Sequence, residues 1–79
     1  MAVKLVFLGR LEDAAATPEL AVAPGSLPDV LSRLEPELAA ALSGVRIKLA
    51  LNGSIVTDRA GLVLADGDEL AFLPPVSGG

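Results

Sequence analysis

Seventy-nine residues make one domain, close to the lower size at which a chain folds without disulfides or metal. With 52% hydrophobic residues, mostly aliphatic, the chain can build a dense core, and its composition excludes disorder. A net charge of −4 with scattered Lys and Arg excludes the basic footprint of nucleic-acid binding and favours a basic docking surface on a protein partner.

Val3 to Leu8 reads as a strand, with Val3, Leu5 and Phe7 on one face and Lys4, Val6 and Leu8 on the other. Gly9 to Thr17 is expected as a loop. Residues 19–23 then return as an antiparallel strand in a hairpin with a long connection. Pro24-Gly25 is a turn, and Ser26-Leu27-Pro28-Asp29 predicts a helix start with Ser26 as N-cap and Asp29 at the third position. Leu27, Val30, Leu31, Leu34, Leu38 and Leu42 recur at helical steps and make one apolar stripe. Pro36 lacks a donor and pushes Glu35 toward extended dihedrals, so a break is expected near Glu35, with Gly44 closing the second piece.

Arg46 to Leu51 alternates, placing Ile47, Leu49 and Leu51 inward and Arg46 and Lys48 toward solvent. Asn52-Gly53 is a strong hairpin signal leading into Ser54-Ile55-Val56, and Asn52 is read as a turn residue. Asp66-Gly67-Asp68 is a further turn before the strand Glu69 to Leu73. Its two carboxylates lack the third nearby ligand that a cation site requires, so no metal site is assigned. The order of elements predicts an α+β roll of the β-grasp, ubiquitin-like kind: a mixed sheet with one main helix packed on one face. The first and last long strands are expected side by side and parallel at its centre.

The domain is assigned to residues 1–73, and 74–79 to an extended tail. Pro74 and Pro75 stop the last strand and favour polyproline-like backbone. Six residues span roughly 20 Å when extended, enough to reach a reaction centre inside a partner. Gly78 and Gly79 lack Cβ atoms, so the tip passes through a channel too narrow for side chains. Alternation sends Leu70 and Phe72 to the helix side and leaves Ala71 and Leu73 on the open face beside Val6 and Leu8; Ile55 fits either side. Contiguous apolar surface at the tail's point of departure predicts docking.

The chain has no Cys and no His, which removes a thiolate metal site, a cysteine nucleophile and the commonest general base. Chemistry at a terminal carboxylate therefore has to be driven by another protein, because a free carboxylate is a poor electrophile until it is given a leaving group. Sulfur is encoded once in the chain, at Met1. Apolar runs are broken well before the ~20 residues of a membrane span, and Lys4 interrupts any signal-peptide pattern. A cytoplasmic protein is expected.

The stretch Leu64-Ala65-Asp66-Gly67-Asp68-Glu69-Leu70-Ala71-Phe72-Leu73-Pro74-Pro75-Val76-Ser77-Gly78-Gly79 resembles the C-terminus of the small, sulfur-carrying subunit of molybdopterin synthase. Length, opening strand and the Asn52 turn match as well, so the likeness covers essentially the whole chain. The resemblance implies that an ATP-dependent, ubiquitin-activating-like enzyme adenylates the carboxylate of Gly79, and that sulfur from a donor protein replaces the adenylate to give a thiocarboxylate. The tail then enters the large synthase subunit and sulfurates a pterin precursor. The carrier would thus be a non-catalytic subunit that binds no cofactor itself, ATP being used by its activating partner. Gly79 would carry the adenylate and then the sulfur, and Gly78 would permit passage. Partner contacts would come from Leu73, Ile55, Val6, Leu8, Pro74, Pro75, Val76 and Ser77. At Leu73 the family often has an aromatic residue, and near Glu12 a basic one. Three alternatives remain open: a sulfur carrier for thiamin, cysteine or transfer-RNA thiolation; a ubiquitin-like modifier joined to target lysines; and a plain interaction domain.

Overall fold

Alternating apolar residues at both ends of the chain build the centre of the molecule. The computed structural model describes residues 2–44 and 46–75. Within them Val3–Phe7 forms β1 and Glu69–Leu73 forms β7, each showing every second side chain buried. The two strands run parallel in register from Lys4 opposite Glu69 to Phe7 opposite Phe72. Glu19–Val22 (β2) pairs antiparallel with the outer edge of β1, Lys48–Leu51 (β4) antiparallel with β7, and Ser54–Ile55 (β5) with β4. The resulting order, β2-β1-β7-β4-β5, is the mixed five-stranded sheet expected, with the first and last long strands adjacent at its centre.

One face of this sheet is covered by helices. Leu27–Ser32 forms α2, and the Ser26 side chain accepts from the Asp29 N–H at 3.3 Å, the predicted N-cap. Pro36–Leu42 forms α3, with Pro36 in its first turn and Glu35 extended at ψ 140°. The apolar stripe is therefore two short helices rather than one kinked rod, because proline is tolerated as a first-turn residue and not as an interior one. The second piece ends at Leu42, with Ser43 as its C-cap, one residue ahead of Gly44.

Three short elements depart from the sequence reading. The expected loop at 9–17 contains a helix, Arg10–Ala15 (α1), which buries Leu11. Gly25–Ser26 (β3), read as turn and cap, also pairs antiparallel with Val63–Leu64 (β6) in a separate two-stranded ladder. That ladder ties the start of α2 to the segment ahead of β7.

The core lies between the helices and the inner sheet face. Val3, Leu5 and Phe7 from β1, Leu70 and Phe72 from β7, and Leu49 from β4 meet Leu27, Val30, Leu38 and Leu42 from the helices. Phe7 and Phe72 stack with centroids 5.7 Å apart at the C-terminal end of the parallel pair. Full burial of each such side chain contributes about 1.5–3 kcal/mol. No helix among the described residues is long and apolar enough to cross a membrane.

Candidate functional site

The open face of the sheet is set by register. One row runs across all five strands as Glu19, Val6, Ala71, Ala50 and Ile55, since Val6 lies opposite both Glu19 and Ala71, and Ala50 opposite both Ala71 and Ile55. Ile55 thus belongs to the open side, where it is 58% exposed. The neighbouring row toward the end of β7 holds Leu73 opposite Lys48, with Leu8 beyond the end of β1 and 40% exposed. Small alanines at the centre and larger aliphatics around them make a shallow apolar surface with a cation at its margin. Lys48, read from sequence as simply solvent-facing, sits on this surface next to Leu73.

The opposite end of the face is polar. Lys4 and Glu69 are register partners, their charges 3.9 Å apart and half-exposed. A pair in that setting is worth little to stability. It does mark where the apolar surface stops.

The chain leaves the face at Leu73 and continues through Pro74 and Pro75, both half-buried. The Leu8 N–H donates to the Phe72 carbonyl at 3.2 Å, joining the residue after β1 to β7 just ahead of Leu73. Of the residues expected to work, Leu73, Ile55, Val6 and Leu8 share one face and Pro74 and Pro75 follow directly. Val76, Ser77, Gly78 and Gly79 lie outside the described residues.

At that polar end of the sheet, two turns are joined by a side chain that sequence reading treated as a simple turn residue. Asn52 and Gly53 have φ of 50° and 88°, the paired positive values of a type I′ hairpin. The Asn52 amide donates to Asp68 Oδ1 at 3.0 Å, and its oxygen accepts from the Glu69 N–H at 2.9 Å. Asp68 Oδ2 also accepts from the Ala65 N–H at 2.9 Å. These hydrogen bonds, Ala65 first and Asn52 second, hold the Asp68 carboxyl below the usual aspartate value against a weaker opposing effect of burial. The Asp66-Gly67-Asp68 carboxylate is thereby engaged in turn geometry. Among the described residues no cluster of three or more Asp, Glu, His or Cys could hold a metal ion.

Comparison with known proteins agrees with this arrangement. The model of the ThiS family matches residues 5–79. No curated protein matches the chain. Among solved structures, the small archaeal modifier protein 1 (SAMP1) from Methanosarcina acetivorans is 32% identical with a TM-score of 0.80, the match covering 98% of this chain and 95% of that one. SAMP1 from Haloferax volcanii is 26% identical with a TM-score of 0.79, both chains covered in full. A chain in the protein–protein complex of subunits 1 and 2 of the molybdopterin-converting factor from Helicobacter pylori is 27% identical with a TM-score of 0.72, again over the whole of both chains. By its sequence match and its β-grasp architecture this chain belongs to the ThiS family, as a ubiquitin-fold sulfur carrier or modifier.

Proposed function

We propose that the chain is the sulfur-carrying small subunit of a molybdopterin synthase-like complex, acting in the cytoplasm through a thiocarboxylate at Gly79. An ATP-dependent activating enzyme supplies the leaving group: the Gly79 carboxylate attacks the α-phosphate of ATP, pyrophosphate departs, and an acyl-adenylate results. A sulfur donor protein, delivering sulfur at the sulfide level, then adds to the carbonyl carbon and expels AMP. The thiocarboxylate enters a large partner subunit, where its sulfur bonds to an electrophilic carbon of a pterin precursor and displaces an oxygen leaving group. Water then cleaves the resulting thioester, leaving the sulfur on the pterin and restoring the Gly79 carboxylate. The chain's own part is to dock through Leu73, Ile55, Val6 and Leu8, and to present the tail through Pro74, Pro75, Val76, Ser77 and Gly78. ATP is bound by the partner and not by this chain.

The observation that carries this reading is the continuity of the apolar open face with the tail's departure at Leu73, in a chain whose family match runs to residue 79. The pterin pathway is favoured by the whole-chain likeness to the molybdopterin-converting factor complex of H. pylori. A second reading, protein modification through Gly79, is favoured by the likeness to SAMP1.

Intact mass after co-expression with an activating enzyme separates the readings. An oxygen-to-sulfur mass shift supports the carrier, higher-mass conjugates support the modifier, and an unchanged mass refutes both. Deleting Gly79 is expected to abolish sulfur transfer while the thermal midpoint stays at the wild-type value. Full transfer by the deleted chain would sink the assignment of chemistry to that residue.

A further inference from the structure

Beyond Phe7 and Phe72 the two central strands part. One chain turns into α1 and the other becomes Pro74-Pro75. At the fork stands Gly9, with φ 55° and ψ −135°, a combination that residues bearing a Cβ avoid. The space a Cβ would take at Gly9 is held by the ring of Pro74: such an atom would lie 3.0 Å from Pro74 Cγ and 3.8 Å from Cδ. The ring thus rests on bare backbone immediately after the last strand residue.

We infer that Gly9 is a positioning residue that seats the Pro74 ring and so fixes the direction in which the tail leaves the docking face. The inference rests on the proposed function above, because aim matters only if the tail is the working part. Docking and aim are separate properties here. The open face governs whether a partner binds, whereas the seat governs what fraction of docked molecules have the tail pointed into the partner's reaction centre. A tail held in one starting direction also loses less conformational freedom on entry.

The test uses the full chain as substrate for its ATP-dependent activating enzyme, following thiocarboxylate formation for Gly9→Ala, Gly9→Val, Pro74→Gly and the combined Gly9→Val/Pro74→Gly. Thermal midpoints and the nuclear Overhauser contact between Gly9 α-protons and the Pro74 ring are measured alongside. Misplacing a reacting group by about 1 Å can cost up to ~100-fold in rate, so Gly9→Val is expected to lower kcat by about tenfold and Gly9→Ala by less. KM is expected to stay within about twofold, since uniform binding through the open face is untouched. With the ring removed, a side chain at residue 9 has no Pro74 ring to displace, so, compared at equal folded fraction, the combined variant is expected to be little slower than Pro74→Gly alone. Independent, multiplying losses would overturn the inference, as would activity losses that follow the folded fraction alone, or absence of the Overhauser contact in the wild type. If Gly9→Val does not fold, Gly9→Ala decides: wild-type kcat sinks the idea, and a lowered kcat at constant KM and unchanged folded fraction sustains it. A wild-type chain that forms no thiocarboxylate refutes the function reading instead, and the seat is then judged by the Overhauser contact.

Discussion

Replacing Asn52 tests whether one side chain holds together the two turns at the Glu69 end of the sheet. Its oxygen satisfies the Glu69 N–H at 2.9 Å at the first residue of β7, and losing that partner costs about 1 kcal/mol net. The amide contact to Asp68 acts in the same direction. Asn52 also sits at φ 50°, where a residue with a Cβ and no compensating side-chain hydrogen bond loses a further ~1–2 kcal/mol. Asn52→Ala is therefore expected to destabilise by about 2–3 kcal/mol, and Asn52→Gly, which keeps the backbone freedom, by about 1 kcal/mol. A domain of this size has roughly 4–12 kcal/mol in total, so the alanine loss is a large fraction. It corresponds to a fall in thermal midpoint of about 10–20 °C. Urea denaturation with a shared m-value is the assay. If glycine proves as damaging as alanine, the backbone part of the reasoning fails; if neither variant shifts the midpoint, the bridge between the turns is not a stabilising contact.

Leu73→Asp is expected to weaken association with a large synthase subunit by tenfold or more, as for a central apolar contact of at least ~2 kcal/mol, with little change in melting. Equal affinities by titration calorimetry would remove Leu73 from the interface. For Asp68 the folded value lies below its ordinary 3.8, so its contribution is present above that pH and is lost as pH falls through the lower folded value. Asp68→Asn is accordingly expected to lower stability at neutral pH and flatten the acid dependence below pH 3.8. An acid limb as steep as the wild type's would contradict that sign.

The parts of the fold legible in sequence are those where period and backbone chemistry agree. β1 and β7 alternate cleanly, Pro36 imposes its break, and Asn52-Gly53 adopts the hairpin that its φ tolerance favours. The α1 helix was hidden because six residues with one buried leucine show no periodicity, and Gly9 provides no side-chain cap. The β3–β6 ladder escaped for a different reason. Two-residue strands carry no alternation, and Ser26 advertises its capping role more loudly than its pairing. On the site, the apolar face followed from alternation, whereas the side of Ile55 depended on which residue of β4 it faces. Gly9 was invisible as part of the tail exit, since its contact with Pro74 arises only when β1 and β7, distant in sequence, are laid side by side.

The placement of β7 has a mechanical consequence. A pull on Pro74 is transmitted along a strand flanked on both sides, with β1 parallel to it and β4 antiparallel. Hydrogen bonds on both flanks are then loaded lengthwise together, so the strand must be sheared out as a unit; an edge strand could be peeled away one bond at a time. Resistance to such extraction is governed by the unfolding rate and not by equilibrium stability. A partner that grips the tail can therefore tug on it repeatedly while the body stays folded.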